Sequence, residues 1–126
     1  QSYWAKGIPV DTMRKAIDNA FCFGVYAEPK ASTEKLRQVG FARMITDKAT
    51  FAYLADVFIL EEFRGLGLSK FLVEHIVSHP DLQGLRRIML ATKDAHGLYK
   101  RYGFKEIEYP EMLMQIWKPD VYQPTH

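Results

Sequence analysis

The run Arg64-Gly65-Leu66-Gly67-Leu68-Ser69 carries the clearest chemistry in this chain. It follows an apolar stretch and opens an amphipathic one, so it joins a strand to a helix. Backbone N–H groups at a helix start have no intrahelical acceptor, and the helix dipole leaves partial positive charge there. Glycines let the main chain approach a ligand closely, and Arg64 adds a cation. Such a turn is a ready site for phosphate. It is equally a plain strand–helix turn that needs glycine for its geometry, and the motif alone leaves both readings open. Two better-known phosphate loops do not fit. A dinucleotide fingerprint begun at Gly65 needs glycine where Lys70 stands, and the Gly-Lys-Ser/Thr ending of a P-loop is absent.

Proton-transfer candidates are fewer. Asp56 lies inside an apolar run, where loss of solvent raises a carboxylate's pKa toward a useful range. A hydrogen-bonded structural carboxylate is the other reading. Asp94 is a candidate base or the cap of the helix that follows, and His96 a base or a surface residue. Glu61-Glu62 can draw a cationic amine or form a solvated loop edge. Tyr3, Trp4 and Tyr53 line an acceptor pocket or belong to the core. His75, on an apolar helix face, reads as a core or rim residue. The four histidines, His75, His79, His96 and His126, show no ligand spacing with Cys22, so no metal site is expected.

These residues need a frame. Met13, Ala16, Ile17 and Ala20 follow a capping Asp11 at helical spacing. Residues 21–26 read as a buried strand, and residues 28–37, with Pro29, Ser32 and Thr33, as a loop. Val39, Phe41 and Ile45 mark one face of a second strand, with Arg43 on the same parity. Thr46-Asp47-Lys48 is a turn, and residues 51–60 form a third, mostly apolar strand expected in mid-sheet. Leu68, Phe71, Leu72, His75 and Ile76 form an amphipathic helix stopped by His79-Pro80. Residues 87–91 are a fourth strand, and residues 95–102 a short helix closed by Gly103. Residues 112–117 are a last strand, and the tail, residues 119–126, is expected to fray. The fold class expected is α/β (α+β): a mixed, mostly antiparallel central sheet flanked by helices. The two strand–helix–strand passages favour parallel pairing, and the hairpin around Thr46-Asp47-Lys48 is antiparallel.

The bulk properties set limits. A chain of 126 residues is one domain, residues 1–126, and 48% hydrophobic residues suffice for a core. The balance of 17 Lys and Arg against 15 Asp and Glu is too even to argue for nucleic acid or an anionic membrane. One cysteine excludes an internal disulfide and fits a reducing compartment. No apolar run is long enough to span a bilayer and no signal peptide opens the chain, so a cytoplasmic protein is expected.

In its wider setting the glycine loop resembles a known one. The segment Val57-Phe58-Ile59-Leu60-Glu61-Glu62-Phe63-Arg64-Gly65-Leu66-Gly67 is similar to the cofactor segment of the GNAT superfamily of acyl-CoA N-acyltransferases. That segment is an apolar strand, then Arg or Gln, two residues, Gly, one residue, and Gly or Ala. Arg64 and Gly67 match, and Ser69 fills the last place. Further on, Ala95, Leu98, Tyr99, Gly103 and Phe104 fall at the spacing of the family's later segment, in which Thr92 replaces a common Asn. The resemblance runs from about Gly40 to Trp117. The family fold opens with a strand before its first helix, yet Gly7 and Pro9 spoil a strand here. Either that edge strand is missing or the given chain starts late. A missing strand leaves a sheet edge that favours pairing as a homodimer.

The resemblance implies an N-acetyltransferase that takes acetyl-CoA as donor and a small-molecule or peptide amine as acceptor. It implies that the backbone of Val57, Phe58 and Ile59 pairs with the pantetheine arm and that a backbone N–H there stabilises the oxyanion. Residues Arg64, Gly65, Leu66, Gly67, Leu68 and Ser69 would hold the pyrophosphate, and Thr92 would contact the cofactor. Tyr99 would protonate the departing sulfur, although it also reads as a core aromatic, and Asp56 is the favoured base. A binding-only domain, an oxygen acceptor and a longer acyl chain stay open, Phe58 favouring a small acyl group.

Overall fold

Apolar residues of the four strands meet those of two helices in a single core. A computed structural model of the chain describes residues 8–28 and 36–122. Tyr3, Trp4, the loop residues Pro29, Ser32 and Thr33, residues 1–7 of the expected strand-free opening, and the tail beyond residue 122 lie outside the described residues.

Helix α1 spans Val10–Asp18, and Pro9, not Asp11, stands at its N-cap. Proline suits that end because its missing N–H has no partner to lose. Asp11 instead sits in the first turn and pairs with Arg14 at 3.6 Å. Strands β1 (Phe21–Ala27), β2 (Arg37–Thr46) and β3 (Phe51–Ile59) form an antiparallel meander. Strand β4 (Arg87–Leu90) then pairs with β3 in parallel, giving the sheet order β1-β2-β3-β4. β3 therefore lies inside the sheet, as its apolar run predicts. Helix α2 (Leu68–Val77) makes the crossover between β3 and β4, and the short α3 (His96–Lys100) follows β4. Among the described residues no helix is long and apolar enough to cross a membrane.

The turn between β2 and β3 is built around one carboxylate. Asp47 Oδ1 accepts from the N–H groups of Ala49, Thr50 and Phe51 at 2.9, 2.7 and 3.2 Å, and Oδ2 accepts from the Thr50 hydroxyl at 2.6 Å. These donors hold its pKa well below the usual carboxylate value.

The buried face of β2 differs from the expected one. Ala42 and Met44 are fully buried, whereas Ile45 is exposed and Phe41 and Arg43 face the other way. One register slip causes this: where Val25 gives way to Tyr26, Val39 is the extra residue of β2, and both Val39 and Gly40 are buried. A strand's period of two holds only between bulges. Helix α2 buries Leu72, Val73 and Ile76. Its core face thus runs through Val73 rather than through Phe71 and His75. His75 sits at the rim, its ring 5.9 Å from that of Phe23. Burying each of the three core side chains contributes about 1.5–3 kcal/mol.

The last expected strand is absent among the described residues. Pro110–Met112 forms a single 3₁₀ turn, and the chain beyond it joins no sheet. Met114 is 97% exposed and Ile116 92%. Apolar composition suits a pleated surface but does not supply a neighbouring strand.

Candidate functional site

The site begins where the two parallel strands part. β3 and β4 pair from Phe51↔Arg87 to Leu54↔Leu90, and β3 then runs on to Ile59 beside β2 alone. Opposite β2, two residues of β3 fill the place of one, because Phe41 faces Phe58 while Arg43 faces Ala55. Asp56 stands in this bulge with φ of 56°, a left-handed conformation that aspartate tolerates better than bulky residues do. The bulge reverses which side chains face α2. Ala52 and Leu54 are buried before it and Ile59 after it, and Phe58 turns to the opposite face, its ring 6.2 Å from that of Phe41.

β3 ends in the glycine loop. Glu61–Phe63 makes a 3₁₀ turn, and Glu62 pairs with Arg37, whose guanidinium also lies 5.3 Å from the Phe63 ring centroid. Arg64 Nε donates to the Ile59 carbonyl at 3.1 Å, tying the loop back to the strand end. Gly65 and Gly67 have φ of 85° and 78°, and Gly67 is the N-cap of α2. A Cβ at either would meet no atom within 4 Å, so the backbone conformation, not crowding, demands glycine. No side chain caps α2. Its first N–H groups, from Leu68 onward, therefore face outward as donors. A cavity of about 280 Å³ opens at this point, lined by Ile59, Phe63, the loop residues from Arg64 to Lys70 except Leu66, and Leu98. Leu66 points away and is 69% exposed. The strand end, the loop and α3 thus converge on one pocket whose donors are main-chain groups together with Arg64, Ser69 and Lys70. Phe63, Lys70 and Leu98 carry no site role in the sequence reading, although Leu98 falls at the spacing of the family's later segment. Phe63 and Lys70 flank the motif, and only the fold brings Leu98 to it.

The candidate proton-transfer groups are placed differently. Asp56 accepts from Arg43 Nε at 2.6 Å, and both side chains are only about 15% exposed, 16% and 15% respectively. The expectation of a desolvated carboxylate did not include this guanidinium. Arg43 itself carried a signal, since a charge in an apolar strand needs a partner. Cys22 pairs in register with Arg43, and burial pushes its thiol pKa up, with Arg43 opposing and Asp56 adding to the rise. Tyr99 is buried in the core, its ring edge-on to Phe104 at 5.6 Å, and it does not line the cavity. The Thr92 hydroxyl accepts from the Ala95 N–H at 3.1 Å just before α3, and no side chain, that of Asp94 included, caps the helix. Asp94 and His96 are exposed, and the His96 ring lies 3.1 Å from the Thr92 carbonyl. Among the described residues no group of three or more His, Cys, Asp or Glu side chains could hold a metal ion.

Comparison with known proteins identifies the family and the fold. The family model for the acetyltransferase (GNAT) domain matches residues 20–106. "Putative acetyltransferase FG08082" of Gibberella zeae is 36% identical over 119 residues, covering 82% of this chain and 66% of that protein. "Uncharacterized N-acetyltransferase ycf52" of Pyropia yezoensis is 32% identical over 123 residues, covering 92% of this chain and 65% of that protein. The chain thus spans just under two thirds of the length of these relatives. A crystal structure from Xanthomonas campestris pv. campestris, described as "a putative acetyltransferase belonging to the gnat family", is 51% identical. It superposes with a TM-score of 0.85 over 98% of this chain and 82% of that one. A GNAT family protein of Streptococcus pneumoniae shares the fold at 18% identity, with a TM-score of 0.66 over 92% of this chain and 84% of its own. The match over residues 20–106 takes in the strand that leaves its parallel neighbour and runs into a glycine loop at a helix start, and this chain belongs to the GNAT family of acetyltransferases.

Proposed function

We propose that the chain is an N-acetyltransferase that moves the acetyl group of acetyl-CoA to a primary amine by direct attack in a ternary complex. The carrying observation is the junction of β3 with α2. There the two positive-φ glycines and the uncapped helix start border the cavity of about 280 Å³. Main-chain donors at a helix N-terminus suit a diphosphate. The flank of β3 beyond Leu54, where β4 has ended, suits a pantetheine arm that hydrogen-bonds as a strand would.

In this reading the loop from Arg64 to Ser69 holds the pyrophosphate and Val57, Phe58 and Ile59 align the thioester. The amine nitrogen attacks the thioester carbonyl, a backbone N–H of the strand stabilises the oxyanion, and the carbon–sulfur bond breaks to release a thiolate. Tyr99 gives that sulfur its proton, and Asp56 accepts the proton lost by the amine. Holding both reactants together supplies much of the rate, so neither group is indispensable. Thr92, whose hydroxyl accepts from the Ala95 N–H just before α3, contacts the cofactor at the α3 start.

The engagement of Asp56 by Arg43 favours one second reading, a domain that binds acyl-CoA without turnover. Incubation with acetyl-CoA and a panel of small amines and peptides separates them, with free thiol as the readout. Amine-dependent thiol release is expected. Tight coenzyme A binding with no release on any acceptor would favour the binding-only domain, and a folded sample with no affinity for coenzyme A would remove both.

A further inference from the structure

The sheet face turned away from α2 carries a charged pair whose hydrogen bonding is incomplete. Arg43 on β2 and Asp56 on β3 meet through one bond, from Nε to Oδ2. A guanidinium has five N–H donors and a carboxylate two acceptor oxygens. Among the described residues, no protein group meets the donors at Arg43 Nη1 and Nη2 or the acceptor Asp56 Oδ1. Both side chains are largely buried, and groups so placed seldom lack partners in folded proteins. The flanks supply no further charge. Cys22 stands opposite Arg43 on β1 and Ala55 opposite it on β3, while Phe41 and Ile45 lie two residues to either side along β2.

The pair is also placed with some strain. The left-handed backbone of Asp56 belongs to the bulge, and conformations of this kind recur at ligand clamps. The bulge sets the carboxylate directly before Val57, Phe58 and Ile59, the strand segment assigned above to the thioester.

We infer that the acceptor is a free amino acid, with its amine at Asp56 and its carboxylate at the terminal nitrogens of Arg43. This rests on the acyl-transfer reading and names its acceptor class. Charge decides the class. An ammonium docked at Asp56 comes within a few ångströms of the Arg43 guanidinium, and like charges that close repel strongly where water is scarce. A carboxylate next to the amine cancels that repulsion. It also takes the donors left without partners, because the guanidinium fork matches a carboxylate with two parallel N–H···O bonds. A simple amine, or a peptide whose carboxylate is distant, leaves the fork unmet. In the reaction Asp56 takes one proton from the ammonium and passes it to solvent. The nitrogen then bonds to the acetyl carbon, the carbon–sulfur bond breaks, and the second proton lost by nitrogen balances the one Tyr99 gives to sulfur. The products are an N-acetylamino acid, coenzyme A and one proton.

The test uses the full chain with acetyl-CoA and follows free thiol. Each common L-amino acid is offered beside its own carboxamide and its decarboxylated amine. At least one amino acid should exceed both counterparts in kcat/KM by about thirtyfold, the scale of a lost charged hydrogen bond. Arg43→Gln keeps an N–H donor for Asp56 and removes the charge. It should cut that preference at least about tenfold while coenzyme A affinity holds. A purely structural clamp would instead lower acid and amide alike. Should Arg43→Gln fail to fold, the acid-to-amide comparison on the parent chain decides by itself. A carboxamide, simple amine or peptide acetylated as well as any amino acid would overturn the inference and leave the acetyltransferase reading standing. No thiol release on any acceptor, with coenzyme A bound, would remove both.

Discussion

The two halves of the candidate site are made of different material. The cofactor half is main chain: a strand flank, two glycines at positive φ and the start of α2. The chemical half is side chains, and each already has a neighbour: Asp56 is held by Arg43, and Tyr99 is buried against Phe104. A backbone site asks of its sequence only that certain positions be small and that a helix begin at the right place. A side-chain site depends on partners supplied by distant segments. The cofactor half should therefore respond to charge and backbone changes with little loss of fold, while the chemical half should couple activity to stability.

The sharpest break in that contrast comes from Ser69→Glu. An added carboxylate within a few ångströms of a bound diphosphate should weaken coenzyme A binding about a hundredfold, a cost consistent with charge repulsion at intermediate dielectric. The same charge in the first turn of α2 stabilises the helix by about 0.3–1 kcal/mol. Calorimetric titration should show the loss of affinity while the melting temperature holds or rises. A similar loss of both would mean that the loop is merely structural.

Asp56→Asn comes next. If Asp56 takes the amine proton, turnover should fall by up to about a hundredfold with coenzyme A affinity unchanged. Arg43→Met should instead cost stability, about 2 kcal/mol, by leaving a largely buried carboxylate without its charged donor. Equal turnover in Asp56→Asn and the parent would make the pair a structural clamp. Tyr99→Phe should lower turnover roughly tenfold at saturating cofactor, since positioning carries most of the rate. An unaltered rate would leave Tyr99 as a core aromatic.

Asp47→Asn, far from the site, should have the smallest effect and one confined to acid. The native pKa of Asp47 lies below its ordinary value of 3.8, so its stabilisation is fully present above that value. It fades as pH falls through the lowered one. The variant should lack that part of the acid decline in urea melts while matching the parent's turnover. A parent-like acid limb in the variant would show that other carboxylates set it.

Much of this frame was legible from the residues. Apolar runs gave four strands in the right places, the glycines marked the turn into α2, and Gly103 marked the end of α3, where the Phe104 N–H reaches back to the Tyr99 carbonyl. What escaped depended on contacts between distant positions. The bulge at Asp56 has no signature in local apolarity, yet it decides which of Val57, Phe58 and Ile59 face the core. The Arg43–Asp56 pair joins two strands across a turn, so neither residue alone reveals its role. Val39, Phe41 and Ile45 suggested one face because alternation was carried through a register slip. Residues 112–117 have the composition of a strand, but composition does not name a partner, and within one described chain there is none.

The most direct measurement is the backbone amide NMR spectrum of the full chain titrated with coenzyme A. The largest shifts are expected at Gly65, Leu66, Gly67, Leu68 and Ser69, with a second group at Val57, Phe58 and Ile59 on the flank that β4 leaves open. Saturable binding that left the loop amides unmoved would contradict a pyrophosphate held by the start of α2.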